Sequence, residues 1–275
     1  MSSHRKTVII TGANRGLGKA AAKEIARAGC RVIMACRNTD AGEIARSEII
    51  ADTNNSDIHV LKLDLASRAS IHEFIDGFSR QFGSLNVLIN NAGIAKQEFS
   101  KTEDGFEINI GTNFFGTYVL TTGLLPFFDE LHEKRIINLT SNIYRIGWFK
   151  TEHINRYRWF RAYAVSKRMI LLYTKWLAED KELCDFRVNA VHPGIVDTSI
   201  MYTGQWYDAV IKVLCKPFFI TAEEGARTCV SLALDMAAVN GKYFSKGEQR
   251  EIRLSRRMIH ERDDLLAFCR MLNSG

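Results

Sequence analysis

Short runs of β-branched and other apolar residues alternate along this chain with longer stretches in which apolar positions recur every three or four residues. Residues 6–11 (KTVIIT), 31–35 (RVIMA), 58–63, 86–89, 135–139 (RIINL) and 186–191 have the length and side-chain type of strands. Between them, the 3.6-residue period predicts helices over about 17–28, 40–52, 68–81, 102–127 and 163–181. Strands that alternate with helices of this length imply an α/β fold, a parallel sheet doubly wound with helices on both faces. Further on, a helix opens at Thr221 or Ala222 and runs to about residue 234, and 241–244 is short enough to be a seventh, edge-like strand. The tail from Asp263 places Leu265, Phe268, Cys269 and Leu272 on one helical face, which should dock on the body. Two stretches lack a period. Residues 148–160, aromatic and basic, read as a surface loop, and about 198–220, rich in aromatics, as a mobile apolar substrate-binding lid or as ordinary packing.

Composition narrows this picture. The 275 residues contain no linker, internal repeat or low-complexity tract, so a single domain over 1–275 is the simplest organisation. No apolar run approaches the length of a membrane helix and no signal peptide is recognisable, so a cytoplasmic protein without a transmembrane segment is expected. Six scattered cysteines without C-x-x-C spacing or a histidine partner suit reduced thiols and argue against a metal site. The net charge of +6 is spread among acids, which does not point to nucleic acid; a phosphate-bearing ligand accounts for part of it. Lys246, Arg250, Arg253, Arg256, Arg257 and Arg262 form a basic neighbourhood, read as a solvated face, with peripheral membrane contact as the alternative.

Four stretches carry candidate chemistry. After the first strand comes Gly12-Ala-Asn14-Arg15-Gly16-Leu17-Gly18, then a helix. Glycines let the backbone approach a ligand, and a helix N-terminus presents unpaired N–H groups and a positive dipole end to a pyrophosphate, so a dinucleotide site follows. The second strand ends in Cys36-Arg37-Asn38, without the acid that would accept from a ribose 2′-OH and repel a 2′-phosphate. Arg37, with Arg15 as a second charge, favours NADP over NAD. Asn90-Asn91-Ala92-Gly93 ends the fourth strand, where small and amide residues suit a ligand crevice or a plain turn. Finally, Tyr163 and Lys167 are four residues apart on a helix, which puts a phenol beside an ammonium as an acid–base pair.

Taken together, Thr11 to Gly18, Asp64-Leu65, Asn90 to Gly93, Asn113, Ser141, Tyr163 to Lys167 and Pro193-Gly194 stand in an order that resembles the short-chain dehydrogenase/reductase family along nearly the whole chain. Ala35-Cys-Arg37, the long segment before Arg161, Val191-His-Pro-Gly194 and Gly241 to Ser245 are most similar to its retinol dehydrogenase-like branch. The resemblance implies a Rossmann-like sheet of about seven strands that holds NAD(P) and a catalytic tetrad of Asn113, Ser141, Tyr163 and Lys167. In that reading Tyr163 is the proton donor or base, Ser141 holds the substrate oxygen, Lys167 tunes Tyr163 and holds the nicotinamide ribose, and Asn113 orders a water relay. Asp64 and Leu65 would meet the adenine, Asn91, Ala92 and Gly93 the middle of the cofactor, and Pro193, Gly194, Val196 and Thr198 the carboxamide end. Lowering a phenol from ~10 to ~7 takes roughly 4 kcal/mol, about what a cation at ~4 Å supplies at an effective dielectric of ~20.

Departures from the family pattern are Thr140, where a serine is common, Asp197 after the Pro-Gly turn, and the lack of a membrane-spanning leader. The expected function is therefore NADP(H)-dependent hydride transfer to or from the carbonyl or alcohol of a small apolar substrate (retinoid, steroid or lipid aldehyde or ketone), with Trp148, Phe149, Met201, Tyr202 and Trp206 lining its pocket. A homo-oligomer is compatible with the sequence. The alternative is a catalytically idle NADP-binding regulatory or scaffold protein that grips a partner through residues 200–220.

Overall fold

The apolar runs assemble into a twisted sheet whose central strands are buried on both faces, as continuous β-branched runs without a polar face require. The computed structural model describes residues 5–130, 133–196, 219–234 and 239–273. In chain order, β1 (Thr7–Thr11), α1 (Gly16–Arg27), β2 (Arg31–Cys36), α2 (Thr39–Thr53), β3 (Ile58–Lys62), α3 (Arg68–Gln81) and β4 (Val87–Asn90) lie within two residues of their predicted positions. A composite helix α4 follows, α-helical over Ile108–Ile110, π-helical over Gly111–Phe115 and α-helical again over Gly116–Leu124. Then come β5 (Lys134–Leu139), α5 (Trp159–Glu179), β6 (Phe186–His192), the short pair β7 (Ile195–Val196) and β8 (Phe219–Ile220), α6 (Ala222–Leu234), β9 (Lys242–Ser245), β10 (Glu248–Glu251) and α7 (Arg256–Asn273).

The main sheet has eight strands in the order β10-β9-β6-β5-β4-β1-β2-β3, parallel except for β10. From β1 the chain winds outward through β2 and β3, then crosses back to β4, so the direction of winding reverses between β1 and β4. Their carboxyl ends therefore open a crevice, the place where such sheets bind ligands. Alternate residues of each strand enter opposite cores. Ile9, Leu88, Ile136 and Val188 pack with α3, α4, α5 and α7, whereas Val8, Ile10, Val87, Ile89 and Val191 pack with α1, α2 and α6.

Four expectations need correction. The strand at 241–244 is not an edge: β10 pairs antiparallel with β9 through a two-residue turn, Lys246 (φ +54°) and Gly247 (φ +80°), whose paired positive φ values match the twist of a hairpin. The helix predicted from residue 102 starts only at Ile108, because Lys101 and Glu107 pair across a tight turn and the Glu107 carboxylate accepts from the Ile110 amide, 2.9 Å away, as a cap. Residues 148–160 are no simple surface loop, since Phe149, Ile154 and Tyr157 are buried around a 3-10 turn at Thr151–Arg156. The terminal helix begins at Arg256 and buries Leu265 and Cys269, with Phe268 edge-on to Phe106.

Helix α7 is tied to α5 by charge as well. Arg168 Nε donates to Glu261 Oε2 (2.5 Å) with both side chains about 7% exposed or less, while Arg257, largely solvated, donates to the other oxygen at 3.0 Å. Removing one member of a buried pair leaves the other charge uncompensated. Glu261→Gln should lower the unfolding free energy by about 3 kcal/mol and Arg257→Ala by less than about 1 kcal/mol, as read from urea unfolding midpoints; equal effects would show that the buried pair has no special weight.

Candidate active site

The site is assembled by two loops stitched together and one helix set against them. Gly12 has φ +66°, and a Cβ there would lie 3.2 Å from Ala92, so only glycine lets the first loop touch the fourth strand's end. A Cβ on Gly18 would collide with the Gly12 carbonyl oxygen and sit 2.5 Å from Asn91 Nδ2. Asn91 Nδ2 donates to the Thr11 carbonyl at 2.7 Å and to that of Gly12 at 3.3 Å. Thr11, to which sequence reasoning assigned no role, accepts from the amides of Asn91 (3.0 Å) and Ala92 (2.9 Å) with its hydroxyl. Its signal was its place as the last residue of β1, facing the end of β4.

These loops fit a dinucleotide. The first residues of α2, α3 and α4 receive side-chain caps from Asn38, Ser67 and Glu107, but Arg15, at the N-cap of α1, offers none. The first N–H groups of α1, at Gly16 and Leu17 just after Gly12 and Asn14, thus have no side-chain cap to offset their donors and dipole, which is what a pyrophosphate needs. Arg15 and Arg37 are exposed and make no ion pair among the described residues. The Asp64 carboxylate accepts from the Ala66 amide (2.9 Å) within its own loop, and the Leu65 side chain is in the core, backed by Gly116, where any side chain would strike the Leu65 carbonyl.

The second loop leads directly to Tyr163 and Lys167. A Cβ on Gly93 would lie 3.3 Å from Lys167 Nζ and 3.4 Å from Asn113 Oδ1, so this glycine, the lysine and the asparagine meet at one point. Asn113 occupies the π-helical turn, which aims its side chain out of the regular ladder. Its Oδ1 accepts from the Ile94 amide (2.7 Å) and its Nδ2 donates to the Ile94 carbonyl (2.8 Å) and to Ser166 Oγ (3.0 Å). The amide is therefore committed to holding the loop after β4 against α5, a role for Ser166 that the sequence did not suggest.

Lys167 is buried and donates to the Leu139 carbonyl at 3.2 Å; in return, the Thr140 hydroxyl donates to the Lys167 carbonyl at 2.8 Å. This explains why threonine serves where serine is common: only the hydroxyl is used. Lys167 Nζ lies 5.7 Å from the centre of the Tyr163 ring. Burial brings the lysine down to about 8 and pushes the Tyr163 phenol up. Ser141 is the second residue after β5 and the N-cap of a 3-10 turn, Asn142–Ile146, whose following Gly147 packs on the Ala164 carbonyl of α5. Trp148 is sandwiched by the guanidinium groups of Arg161 (3.9 Å) and Arg257 (4.8 Å), and Phe149 belongs to the core rather than to a pocket wall.

Pro193 and Gly194 follow the end of β6 directly. Gly194 has φ +96°, and a side chain there would meet Ile220 at 2.7 Å, which holds the turn to the β7–β8 pair. The backbone of Val196 pairs with Ile220. His192, just before the turn, is held at about 4 by burial and by Lys246. Asp197, Thr198, Met201, Tyr202 and Trp206 lie outside the described residues.

With this geometry in place the comparisons are decisive. The profile described as short chain dehydrogenase matches residues 6–206. The chain belongs to that family. It is 41% identical to mouse (Mus musculus) retinol dehydrogenase 12 over 245 residues, 87% of this chain and 77% of that protein, and 38% identical to mouse retinol dehydrogenase 11 over 248 residues with the same coverage. Among solved structures, an uncharacterised protein from Mycobacterium Paratuberculosis superposes with a TM-score of 0.76 at 32% identity, covering 98% of this chain and 93% of that one. Levodione reductase shares the fold, with a TM-score of 0.72 at 22% identity over 87% of this chain and 95% of that one. Family and branch are as the motifs implied, and membership makes the chain an oxidoreductase of alcohol and carbonyl groups that uses a nicotinamide cofactor.

A buried ammonium is retained against its desolvation cost, so Lys167→Met should abolish turnover yet raise stability at pH 7 by roughly 2 kcal/mol. Because the folded-state value of about 8 lies below the unfolded ~10.4, the wild type gains stability as pH rises between them. The gap between the two proteins should therefore narrow from pH 8 to pH 10 in denaturant titrations; a constant gap would contradict the lowered value.

Proposed function

We propose that this dehydrogenase transfers a hydride between NADP(H) and the carbonyl or alcohol of an apolar substrate of the retinoid, steroid or lipid class. The observation that carries the reaction is the juncture of Gly93, Asn113, Lys167 and Tyr163 at the end of β4. When bound, the nicotinamide supplies or accepts the hydride. Tyr163 passes the proton to or from the substrate oxygen, since an alkoxide cannot leave without one. Ser141 holds that oxygen, and Lys167 keeps Tyr163 near its working protonation state. Asn113 keeps Gly93 and α5 in register through its three hydrogen bonds; a water relay at this residue would run past an amide already committed on both its atoms.

Exposed Arg37 at the end of β2, with Arg15 at the α1 N-cap, supports the 2′-phosphorylated cofactor, because no acid stands at that strand end. Retinol dehydrogenase relatives and the exposed Ile146 and Trp148 in the segment that follows Ser141 support an apolar substrate. An intact acid–base pair argues against the idle-protein alternative.

Oxidation of NADPH with a panel of retinoid, steroid and lipid carbonyls should show turnover that Tyr163→Phe lowers by at least about 10²-fold; wild-type rates no better than the variant's would overturn the enzymatic reading. In fluorescence titrations the wild type should prefer NADPH to NADH, and Arg37→Asp should weaken NADPH by roughly tenfold or more while sparing NADH. Equal wild-type affinities would refute the arginine argument.

A further inference from the structure

Tyr243 lies on β9 opposite Ala190 of β6, far in sequence from every residue of the site. Its ring is buried with Leu171, Ala190 and Ile252, and only its hydroxyl reaches past them. That hydroxyl donates to Asn142 Oδ1 at 2.6 Å, and the ring meets Tyr144 edge-on, with centroids 5.6 Å apart. Asn142 and Tyr144 belong to the 3-10 turn capped by Ser141. Ser141 is otherwise held lightly. Its Oγ accepts from the Ile143 amide at 3.4 Å and its carbonyl from the Tyr144 amide at 3.0 Å, both within the turn itself.

The struts that reach this turn from outside are few. Arg168 donates to the Tyr144 carbonyl at a long 3.5 Å, and Gly147 fits against the Ala164 carbonyl at the turn's far end. On the near side of Ser141 the chain is fixed at Thr140, whose amide donates to the Val191 carbonyl and whose hydroxyl donates to the Lys167 carbonyl, both at 2.8 Å. On the far side the phenol of Tyr243, at 2.6 Å, is the short, directed tie, and it too acts one residue from Ser141. A rigid strand donor that fixes Asn142 fixes the chain direction at Ser141 as well, and displacement of a substrate-holding group by about 1 Å can cost up to 10²-fold in rate.

We propose that Tyr243 is a positioning residue: through Asn142 it sets the turn that carries Ser141, and with it the place where the substrate oxygen is held. The inference rests on the role of Ser141 in the proposed reaction. Burial pushes the Tyr243 phenol far above the usual range, so it remains a neutral donor throughout the working pH range and takes no part in proton transfer.

The test uses the full chain with NADPH and a carbonyl that it reduces. Tyr243→Phe and Asn142→Leu should each lower kcat/KM by roughly tenfold, chiefly through kcat, with NADPH affinity unchanged. The double variant should be no worse than either single one, and Asn142→Asp, which keeps the acceptor, should retain most of the rate. In a Ser141→Ala background, Tyr243→Phe should have no further effect, which loss of general structural support would not reproduce. Wild-type rates in Tyr243→Phe, or the same tenfold loss in the Ser141→Ala background, would overturn the proposal. Amide hydrogen exchange of the substrate-free protein separates the two readings. Faster exchange at Ile143 and Tyr144 in Tyr243→Phe supports the strut even if no carbonyl is turned over, a result that would count against the oxidoreductase reading alone; unchanged exchange overturns the strut.

Discussion

The reciprocal bonds between the end of β5 and helix α5 are the constraint on which the site depends. Lys167 lends its ammonium to the Leu139 carbonyl, and Thr140 returns a hydroxyl to the Lys167 carbonyl. Neither bond would survive exposure to water at full strength, and both are buried, where an unmade bond is costly. They hold α5 at one height along the sheet. Tyr163 is carried one helical turn earlier on the same helix, and Gly93 meets the same ammonium from the loop after β4. A helix free to slide by a residue would separate all of these groups.

Around that joint the molecule spends stability on chemistry. A buried lysine near neutrality, a phenol that burial alone would keep protonated and a histidine held neutral at the end of β6 are each less favourable than an apolar side chain of the same size. The compensation lies in the two apolar cores on either face of the sheet and in the Arg168–Glu261 pair, which draws α7 against α5. The terminal helix is thus part of the scaffold of the acid–base pair although none of its residues approaches it in sequence.

Much of this was legible in the chain. The strands show as β-branched runs, and the glycine loop and Tyr163–Lys167 show as spacings, because periods of two and 3.6 residues and positive φ are local properties. Other features were not. β10 is Glu-Gln-Arg-Glu, exposed at every position, with no apolar alternation to announce it; only pairing with β9 makes it a strand. Phe149, Ile154 and Tyr157 have irregular spacing because they enter the core from 3-10 turns and loops, so no single period reveals their burial. The turn at 101–107 hid within an apparently helical stretch because its cap, Glu107, resembles any surface acid until its carboxylate is seen to be buried.

By itself, the sequence determined the α/β winding, the glycine loop between β1 and α1, the family and the placing of Tyr163 and Lys167 one turn apart on a helix, all of which follow from residue type at short spacing. Tertiary structure decided which groups actually meet: Thr11 with Asn91 and Ala92, Gly93 with Lys167 and Asn113, Ser166 with Asn113, Tyr243 with Asn142. These contacts join a strand end to a loop, a loop to two helices, one helix to another and a strand to a turn, none of them through residues adjacent in the chain. Such neighbours are set by how two cores close on one twisted sheet, a condition that no local stretch of sequence contains.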